Sequence, residues 1–358
     1  METKSKKLNS NLHSAKLLKN DEFYTQLTDI EREMKNYREH FKGKIIYCNC
    51  DDPYESYFFK YFALNFEFLE LKKLIATCYV GSPIANRQLS LFDDETPENK
   101  TTKSPHKIEI TEVPDMRKEG ILGLDAVKIL LSSDKNHLTR LKGDGDFRSK
   151  ECIELLKESD IVVTNPPFSL FREYVTTLVE HNKKFLIIGD QNAITYKEIF
   201  KFIKENKIWL GFDNGGTKWF QVPDDYEIQT ESRIKIEKGI KYFSKGSIMW
   251  FTNLDHTKRH ENLILFRRYN ENDYPKYDNY DAIEVSKIVD IPVDYEGAMG
   301  VPITFIDKYN PAQFEILSSN DIRKNETVPF KEHGLIKDKD GTINGQATYA
   351  RVVIKKRK

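Results

Sequence analysis

An apolar run that stops at two prolines constrains the fold of this chain more than any other feature. Residues 160–163 read Asp-Ile-Val-Val, and residues 164–168 read Thr-Asn-Pro-Pro-Phe. A short β-branched run bounded in this way is typical of a strand buried in a parallel sheet. Proline has no backbone N–H and a fixed φ, so the strand must end before Pro166. The sequence therefore predicts that Asn165 lies at the carboxyl end of a buried strand.

Strand-like and helix-like segments alternate around this run. The segments KIIYCNCDD, LKKLIATCYV and KFLIIGD predict strands, and ESYFFKYFALNF, SKECIELLKES, SLFREYVTTLVEHN and YKEIFKFIKEN predict helices. An amphipathic helix that Thr28 or Asp29 caps is expected upstream, from apolar residues at helical spacing: Ile30, Met34, Tyr37 and Phe41. This alternation predicts an α/β fold with a doubly wound, mostly parallel sheet.

The pattern divides the chain into three parts. Residues 1–18 form a polar N-terminal tail, and residues 19–270 form the α/β domain, with a Ser, Pro and Asn-rich mobile loop at 81–105. Past residue 211 the segments TKWFQV, KGSIMWFTNL and NLILFRRY predict antiparallel strands. Residues 271–358 are expected to form a smaller, β-rich and loop-rich C-terminal module.

Composition excludes several classes of protein. No apolar run approaches the roughly 20 residues that span a membrane, and the N-terminus lacks a signal-peptide core, so we expect a cytoplasmic protein with no membrane partner. The cysteines form no C-x-x-C pair, so no metal site is expected. The 56 basic residues balance the 56 acidic residues, and a polyanionic partner would need local basic clusters.

Three polar stretches follow predicted strands or turns. They are Asp51-Asp52-Pro53, residues 143–147 with the sequence Gly-Asp-Gly-Asp-Phe, and the Asn-Pro-Pro-Phe stretch. Because ligands of open α/β sheets bind outside the carboxyl ends of the strands, these stretches should converge on one crevice. Neither a G-x-G-x-x-G fingerprint after the first strand nor a P-loop occurs, so a nucleoside cofactor without phosphates is favoured.

The motifs together resemble those of a known enzyme family. Asn-Pro-Pro-Phe after an apolar strand resembles the catalytic motif of S-adenosylmethionine-dependent N6-adenine DNA methyltransferases. Phe-Tyr-Thr at residues 23–25 resembles the segment of that class that contacts the methionine part of the cofactor. CNCDDPYESYFFKYF and GVPITFIDKYNPAQFEIL are similar to segments of the EcoRI-type adenine-specific methyltransferases, and this resemblance covers nearly the whole chain.

The resemblance implies a Rossmann-like methyltransferase sheet, S-adenosyl-L-methionine as cofactor and double-stranded DNA as substrate. It also implies a cognate restriction endonuclease as a partner. The organisation of the chain, rather than any motif, assigns the catalytic domain to residues 19–270 and target recognition to residues 271–358, with the 211–265 region or the 81–105 loop as the alternative reader. The implied catalytic residues are Asn165, Pro166, Pro167 and Phe168. The implied cofactor-binding residues are Phe23, Tyr24, Thr25, Asp51, Asp52, Pro53, Ser56, Asp144, Asp146 and Phe147. The first loop lacks the usual glycines, and Ser56 is expected to fill its small-residue position.

The family mechanism explains the proline pair. Asn165 Oδ1 and the Pro166 carbonyl oxygen would accept hydrogen bonds from the two N–H groups of the adenine amine. Phe168 would stack on the adenine once it is flipped out of the duplex. Plainer alternatives are a rigid turn at residues 165–168, a solvated turn at residues 143–147 and a helix cap by Asp51 or Asp52. Alternative functions are methylation of RNA adenine or of a protein glutamine, or nucleic-acid binding without catalysis.

Overall fold

The structure is a computed structural model that describes residues 24–51, 56–78, 105–113, 129–222, 233–244, 247–318, 322, 324, 335–336 and 340–357. Its helices are α1 (Leu27–Met34), α2 (Arg38–Phe41), α3 (Tyr57–Leu64), α4 (Lys150–Glu158), α5 (Phe171–Glu180) and α6 (Lys197–Lys204). Its strands are β1 (Tyr24–Thr25), β2 (Ile45–Cys48), β3 (Lys73–Thr77), β4 (His106–Ile110), β5 (His137–Arg140), β6 (Ile161–Thr164), β7 (Lys184–Asp190), β8 (Trp209–Leu210), β9 (Trp219–Gln221), β10 (Ile234–Glu237), β11 (Ile240–Ser244), β12 (Ile248–Thr252), β13 (Ile283–Glu284), β14 (Met299–Pro302), β15 (Phe314–Ile316), β16 (Leu335–Ile336), β17 (Thr342–Ile343), β18 (Gln346–Ala347) and β19 (Arg351–Lys356).

The chain divides into two compact units. The first unit comprises residues 1–190 and 215–254, and the second comprises residues 191–214 and 255–358. Residues 191–214 and 255–270, which the sequence groups with the α/β domain, therefore lie in the same unit as the C-terminal module. This division concerns packing alone, and the assignment of target reading to 271–358 stays a prediction.

A large sheet forms the centre of the first unit. Its strands in this unit run in the order β5, β4, β3, β2, β6, β7, β12. The central strands β3, β2, β6 and β7 are parallel, whereas β4, β5 and β12 pair antiparallel with their neighbours. Every residue of β2 and β6 is buried, which matches the continuous apolar runs of strands covered on both faces. The predicted α/β class and parallel central strands are confirmed.

The helical segment before β2 packs as predicted. Its apolar residues are all 1% exposed or less and belong to the main core cluster: Ile30, Met34, Tyr37 and Phe41. Burying side chains of this size stabilises the fold by roughly 1.5–3 kcal/mol each. The predicted cap was wrong, because α1 begins after Gln26, and Asp29 instead lies inside the first turn, paired with Arg32.

A small antiparallel sheet in the first unit has the order β1, β9, β11, β10. Phe220 of β9 is fully buried in the main core cluster, and Phe243 of β11 packs against the same cluster. These rings anchor one face of the small sheet on the core beside the central sheet. The predicted strands TKWFQV and KGSIMWFTNL are confirmed as β9 and β12.

The second unit is built around β19. Strands β14, β15 and β16 pair antiparallel with it, and β13 pairs in parallel with β14. The predicted strand NLILFRRY was wrong: Ile264 is 90% exposed and Phe266 is 64% exposed, and the stretch makes one isolated bridge, at Arg267. β-branched and aromatic residues favour strands only where a neighbouring strand and a packed face exist, and this segment has neither.

Candidate active site

The direction in which strands are added to the sheet changes between β2 and β6. After β2 the chain adds β3 on one side, and it later adds β6 on the other side. In open α/β sheets, ligands bind at the carboxyl ends of the strands where the direction of strand addition changes. Asn49 and Asp51 follow β2, and Asn165 follows β6. Two of the polar stretches predicted from the sequence therefore meet at this point.

A buried carboxylate connects the two strands. Asp51 is 6% exposed, and its Oδ1 accepts a hydrogen bond of 2.6 Å from Ser56 Oγ. The hydroxyl of Thr164, the last residue of β6, donates to the other oxygen, Oδ2. A charged group buried this deeply requires such donors, and hydrogen bonds to carboxylates are among the strongest in proteins. Asp51 thereby fixes the residue that immediately precedes Asn165.

The same serine begins α3. Ser56 Oγ accepts the backbone N–H of Phe58 at 3.1 Å and that of Phe59 at 3.4 Å, which satisfies two N–H groups of the first turn. The cap of this helix is thus Ser56. Asp51 contributes through Ser56, while Asp52 and Pro53 lie outside the described residues.

A second hydrogen-bond network lies below the crevice. The hydroxyl of Tyr174 in α5 donates to Asn49 Oδ1. Thr77 Oγ1, at the end of β3, donates to the Asn49 carbonyl at 3.3 Å and lies 3.0 Å from the hydroxyl of Tyr47. Burial raises the pKa of Tyr174 well above its usual value, so this hydroxyl keeps its proton.

The sequence did not reveal this network of Asn49, Thr77 and Tyr174. Asn49 and Thr77 could have been found by their positions at strand ends. Tyr174 is 125 residues from Asn49, and no local signal marks it.

The Gly-Asp-Gly-Asp-Phe stretch reaches the end of β3. Gly145 has φ +77, and a Cβ at this residue would lie 2.2 Å from the Cys78 carbonyl oxygen. Only glycine permits this conformation together with this close approach. Glu151 holds the start of the loop, because its Oε2 accepts the backbone N–H groups of Lys142 at 2.8 Å and Gly143 at 2.9 Å. The third predicted stretch is thus brought to the strand next to β2.

The side chains of this loop have different surroundings. Asp146 binds Arg148 through Nε at 2.8 Å and Nη2 at 2.6 Å, and its backbone N–H donates to Asp144 Oδ1 at 3.0 Å. Asp144 is exposed. Phe147 is 5% exposed and packs edge to face on Tyr174, with ring centroids 5.0 Å apart. Asp144 is therefore the carboxylate of this loop that is most open to a ligand, whereas Phe147 is mainly a packing residue.

The Asn-Pro-Pro-Phe residues continue from β6. Pro166 is buried, and Asn165, Pro167 and Phe168 are partly buried. A 3-10 helix begins at Phe168 and leads into α5, and the Phe168 ring packs against the main core cluster. The motif is thereby held between a buried strand and a helix that contributes to the floor of the crevice.

The Phe-Tyr-Thr segment lies at the start of the described chain. Phe23 is outside the described residues, whereas Tyr24 and Thr25 form β1 and pair with β9. Thr25 is 3% exposed, and within the described part of the chain its Oγ1 makes no hydrogen bond. A buried hydroxyl normally has a hydrogen-bond partner, so this oxygen is unusual within the described part of the chain. Strand β1 lies against α3, the helix that Ser56 caps.

In the part of the chain that the structure describes, no group of three or more His, Cys, Asp or Glu side chains is arranged to hold a metal ion. No helix in the same part is both long and apolar enough to cross a bilayer.

Comparison with known proteins gives a consistent result. The profile of the family described as Adenine-specific methyltransferase EcoRI matches residues 11–357. The Type II methyltransferase M.EcoRI of Escherichia coli is 49% identical over 354 residues, which cover 98% of this chain and 97% of that protein. The Type II methyltransferases M.MgeORF184P of Mycoplasma genitalium and M.MpnI of Mycoplasma pneumoniae are 40% and 38% identical, each over 96% of this chain and 97% of the relative. No solved structure gives a significant match. The chain therefore belongs to the EcoRI family of adenine-specific DNA methyltransferases, which act in restriction–modification systems.

Proposed function

We propose that this protein transfers a methyl group from S-adenosyl-L-methionine to N6 of an adenine flipped out of duplex DNA. The observation that carries the proposal is the meeting of Asn165, Asp51 and the Gly145 loop at the carboxyl ends of adjacent parallel strands. Family membership supports adenine as the target. The Rossmann-like, doubly wound arrangement belongs to this proposal, and the order β3, β2, β6, β7 supports it.

The residues of the crevice fit such a cofactor. The buried Thr25 hydroxyl can bond the polar methionine end, and the exposed Asp144 carboxylate can accept from ribose hydroxyls or a base amine. We assign Asp51 and Ser56, which bind each other, to holding the first loop in place. The remaining predicted contacts, Phe23, Tyr24, Asp52 and Pro53, stay part of the proposal. When bound, the cofactor supplies an electrophilic methyl group on a sulfonium.

The role of Asn165 follows from the chemistry of the adenine amine. Its nitrogen lone pair is delocalised into the ring, so the nitrogen is a poor nucleophile. Asn165 Oδ1 and the Pro166 carbonyl oxygen would accept hydrogen bonds from both N–H groups. This would localise the nitrogen lone pair and direct it toward the methyl group. The new N–C bond would form as the S–CH3 bond of the sulfonium breaks and its electron pair returns to sulfur, and one amine proton would be released to solvent.

The surroundings of Asn165 are fixed before the reaction. Thr164 is bound to Asp51, and proline at the next two positions restricts the backbone. Positioned acceptors need no reorganisation in the transition state, which is the main source of such catalysis. Phe168 would stack on the flipped base and offset part of the cost of unstacking.

Labelled S-adenosylmethionine tests the proposal. The protein is incubated with a tritiated methyl donor and with duplex DNA, RNA or a protein extract, and the products are digested to nucleosides or amino acids. N6-methyldeoxyadenosine from the duplex is the expected product. N6-methyladenosine from RNA, or label in protein glutamine alone, would overturn the DNA assignment. A cognate endonuclease, a cytoplasmic location and target reading by residues 271–358 are further parts of the proposal.

A further inference from the structure

Strands β10 and β11 form a tight hairpin at the edge of the small sheet. Glu237 pairs with Ile240, so Lys238 and Gly239 alone make the turn. Both have positive φ, +51 for Lys238 and +79 for Gly239, as a type I′ turn requires. Lysine at a left-handed position is less favourable than glycine or asparagine. The fold nevertheless places a lysine at the tip.

The hairpin extends from the core into solvent. At its base, Phe243 pairs with the fully buried Phe220. Toward the tip, Ile236 is 68% exposed and Ile240 is 37% exposed. Ile236 pairs with Lys241, and its neighbour Glu237 pairs with Ile240. Because neighbouring residues of a strand point to opposite faces, the two isoleucines lie on opposite faces of the ribbon. The ribbon therefore exposes one large apolar side chain on each face near its tip.

The charge of the hairpin is mostly positive. Residues 233–244 contain four basic side chains and one acidic side chain, in a protein whose net charge is +0. Lys235 forms an ion pair with that acid, Glu237, at 3.0 Å, and within the described chain neither Arg233 nor Lys238 pairs with a carboxylate. The hairpin is therefore a local concentration of positive charge.

A second basic segment, residues 258–268, differs from the hairpin because its charges are paired. There each of four basic residues has a carboxylate within 4.0 Å: Lys258 with Asp307, Arg259 with Asp255, Arg267 with Asp290 and Arg268 with Asp294. The charge of that segment is neutralised within the second unit. Of the two segments, the hairpin is the one whose charge is available to a polyanion.

We propose that the β10–β11 hairpin enters the major groove of the DNA substrate, an inference that rests on the proposed function. Two strands lie about 4.8 Å apart, and four residue pairs extend about 13 Å, which suits a groove about 12 Å wide and 8.5 Å deep. Lys238 and Arg233 contact phosphates. Ile236 and Ile240 contact thymine methyl groups, which line this groove.

Replacing the tip lysine tests the charge. Lys238→Asn keeps the fold, because Asn-Gly is the favoured type I′ pair. The matched control is Lys44→Asn, at an exposed lysine just before β2 and hence at the opposite ends of the parallel strands. The probe is a fluorescein-labelled duplex containing a site that the wild-type protein methylates. The dissociation constant of the protein–duplex complex is measured by fluorescence anisotropy at about 0.05 to about 0.3 M NaCl. In this range the release of counterions changes the affinity.

Loss of one phosphate contact should lower the slope of log K against log salt by about 0.9 and weaken binding about eightfold at 0.1 M salt. The control should bind as the wild type does, and the melting temperature of Lys238→Asn should not fall. A wild-type slope in Lys238→Asn, with the wild type methylating the duplex, overturns the hairpin proposal alone. A wild-type protein that neither binds nor methylates any duplex overturns the proposed function as well.

A second variant tests the apolar contact. Ile236→Val removes one methylene and keeps β-branching and the strand preference of an exposed position. It should weaken binding to the thymine duplex by about fourfold, the value of one buried methylene, with an unchanged salt slope. On a duplex with uracil in place of thymine the variant and wild type should bind equally. A loss of the same size on both duplexes, or no loss on either, contradicts the thymine contact.

Discussion

Ser56→Ala should destabilise the protein more than removal of an ordinary helix cap. The substitution removes the cap of α3 and also the 2.6 Å hydrogen bond to the buried Asp51 carboxylate. A cap contributes about 1 kcal/mol, and a hydrogen bond to a charged group contributes roughly 1.5–3 kcal/mol. We therefore expect the free energy of unfolding to fall by about 2.5–4 kcal/mol.

Ser149→Ala is the matched control. Ser149 caps α4 in the same unit through a 3.2 Å bond from the Cys152 N–H. Its hydroxyl has no carboxylate partner among the described residues, so the expected loss is about 1 kcal/mol. Both variants are measured by urea unfolding at equal protein concentration, with the slope against urea checked for constancy.

The difference between the losses in Ser56→Ala and Ser149→Ala measures the contribution of the hydrogen bond from Ser56 to Asp51. A double-mutant cycle with Asp51→Asn should show coupling between Ser56 and Asp51 of about 1 kcal/mol or more. Equal losses in Ser56→Ala and Ser149→Ala would refute the reasoning that Asp51 depends on Ser56. Ser56→Thr, which keeps the hydroxyl, should recover most of the stability.

Three further predictions concern the site and the second unit. Asn165→Ala should lower the single-turnover methylation rate by on the order of 100-fold or more while calorimetry shows unchanged S-adenosylmethionine affinity; near wild-type turnover would remove Asn165 from catalysis. Thr25→Val should weaken cofactor affinity about ten- to a hundredfold without lowering the melting temperature, because the lost hydroxyl has no described partner in the protein; unchanged affinity would place the cofactor elsewhere. Burial lowers the pKa of His256 below its usual 6.5, so the unfolded chain binds a proton more readily than the folded chain does. The free energy of unfolding is therefore highest above pH 6.5 and decreases as the pH falls toward the folded-state pKa. His256→Gln should flatten this dependence of the melting temperature, and an unchanged slope would contradict it.

Local pattern alone predicted the elements that carry the site. Helical spacing placed Ile30 and Phe41 in the core, and continuous apolar runs identified β2 and β6. The prolines located the end of β6 and therefore Asn165. These features depend only on residues that are close together along the chain, so a single sequence is enough to predict them.

Pairing between distant segments could only be seen in the tertiary structure. NLILFRRY has the composition of a strand but lacks a neighbouring strand, and α1 begins at a residue without a capping side chain. The antiparallel position of β12 beside β7 follows from sheet order, which local periodicity does not encode.

The supporting contacts of the site belong to this second class. Thr164 reaches Asp51 across 113 residues, and Tyr174 reaches Asn49 across 125 residues. Each is a common polar residue in its own segment, and its role arises only when the parallel strands are brought side by side. The sequence by itself determined which residues stand at the strand ends. Only the tertiary structure decided which of them share a buried hydrogen bond, because that depends on strand order and on the exclusion of water between distant parts of the chain.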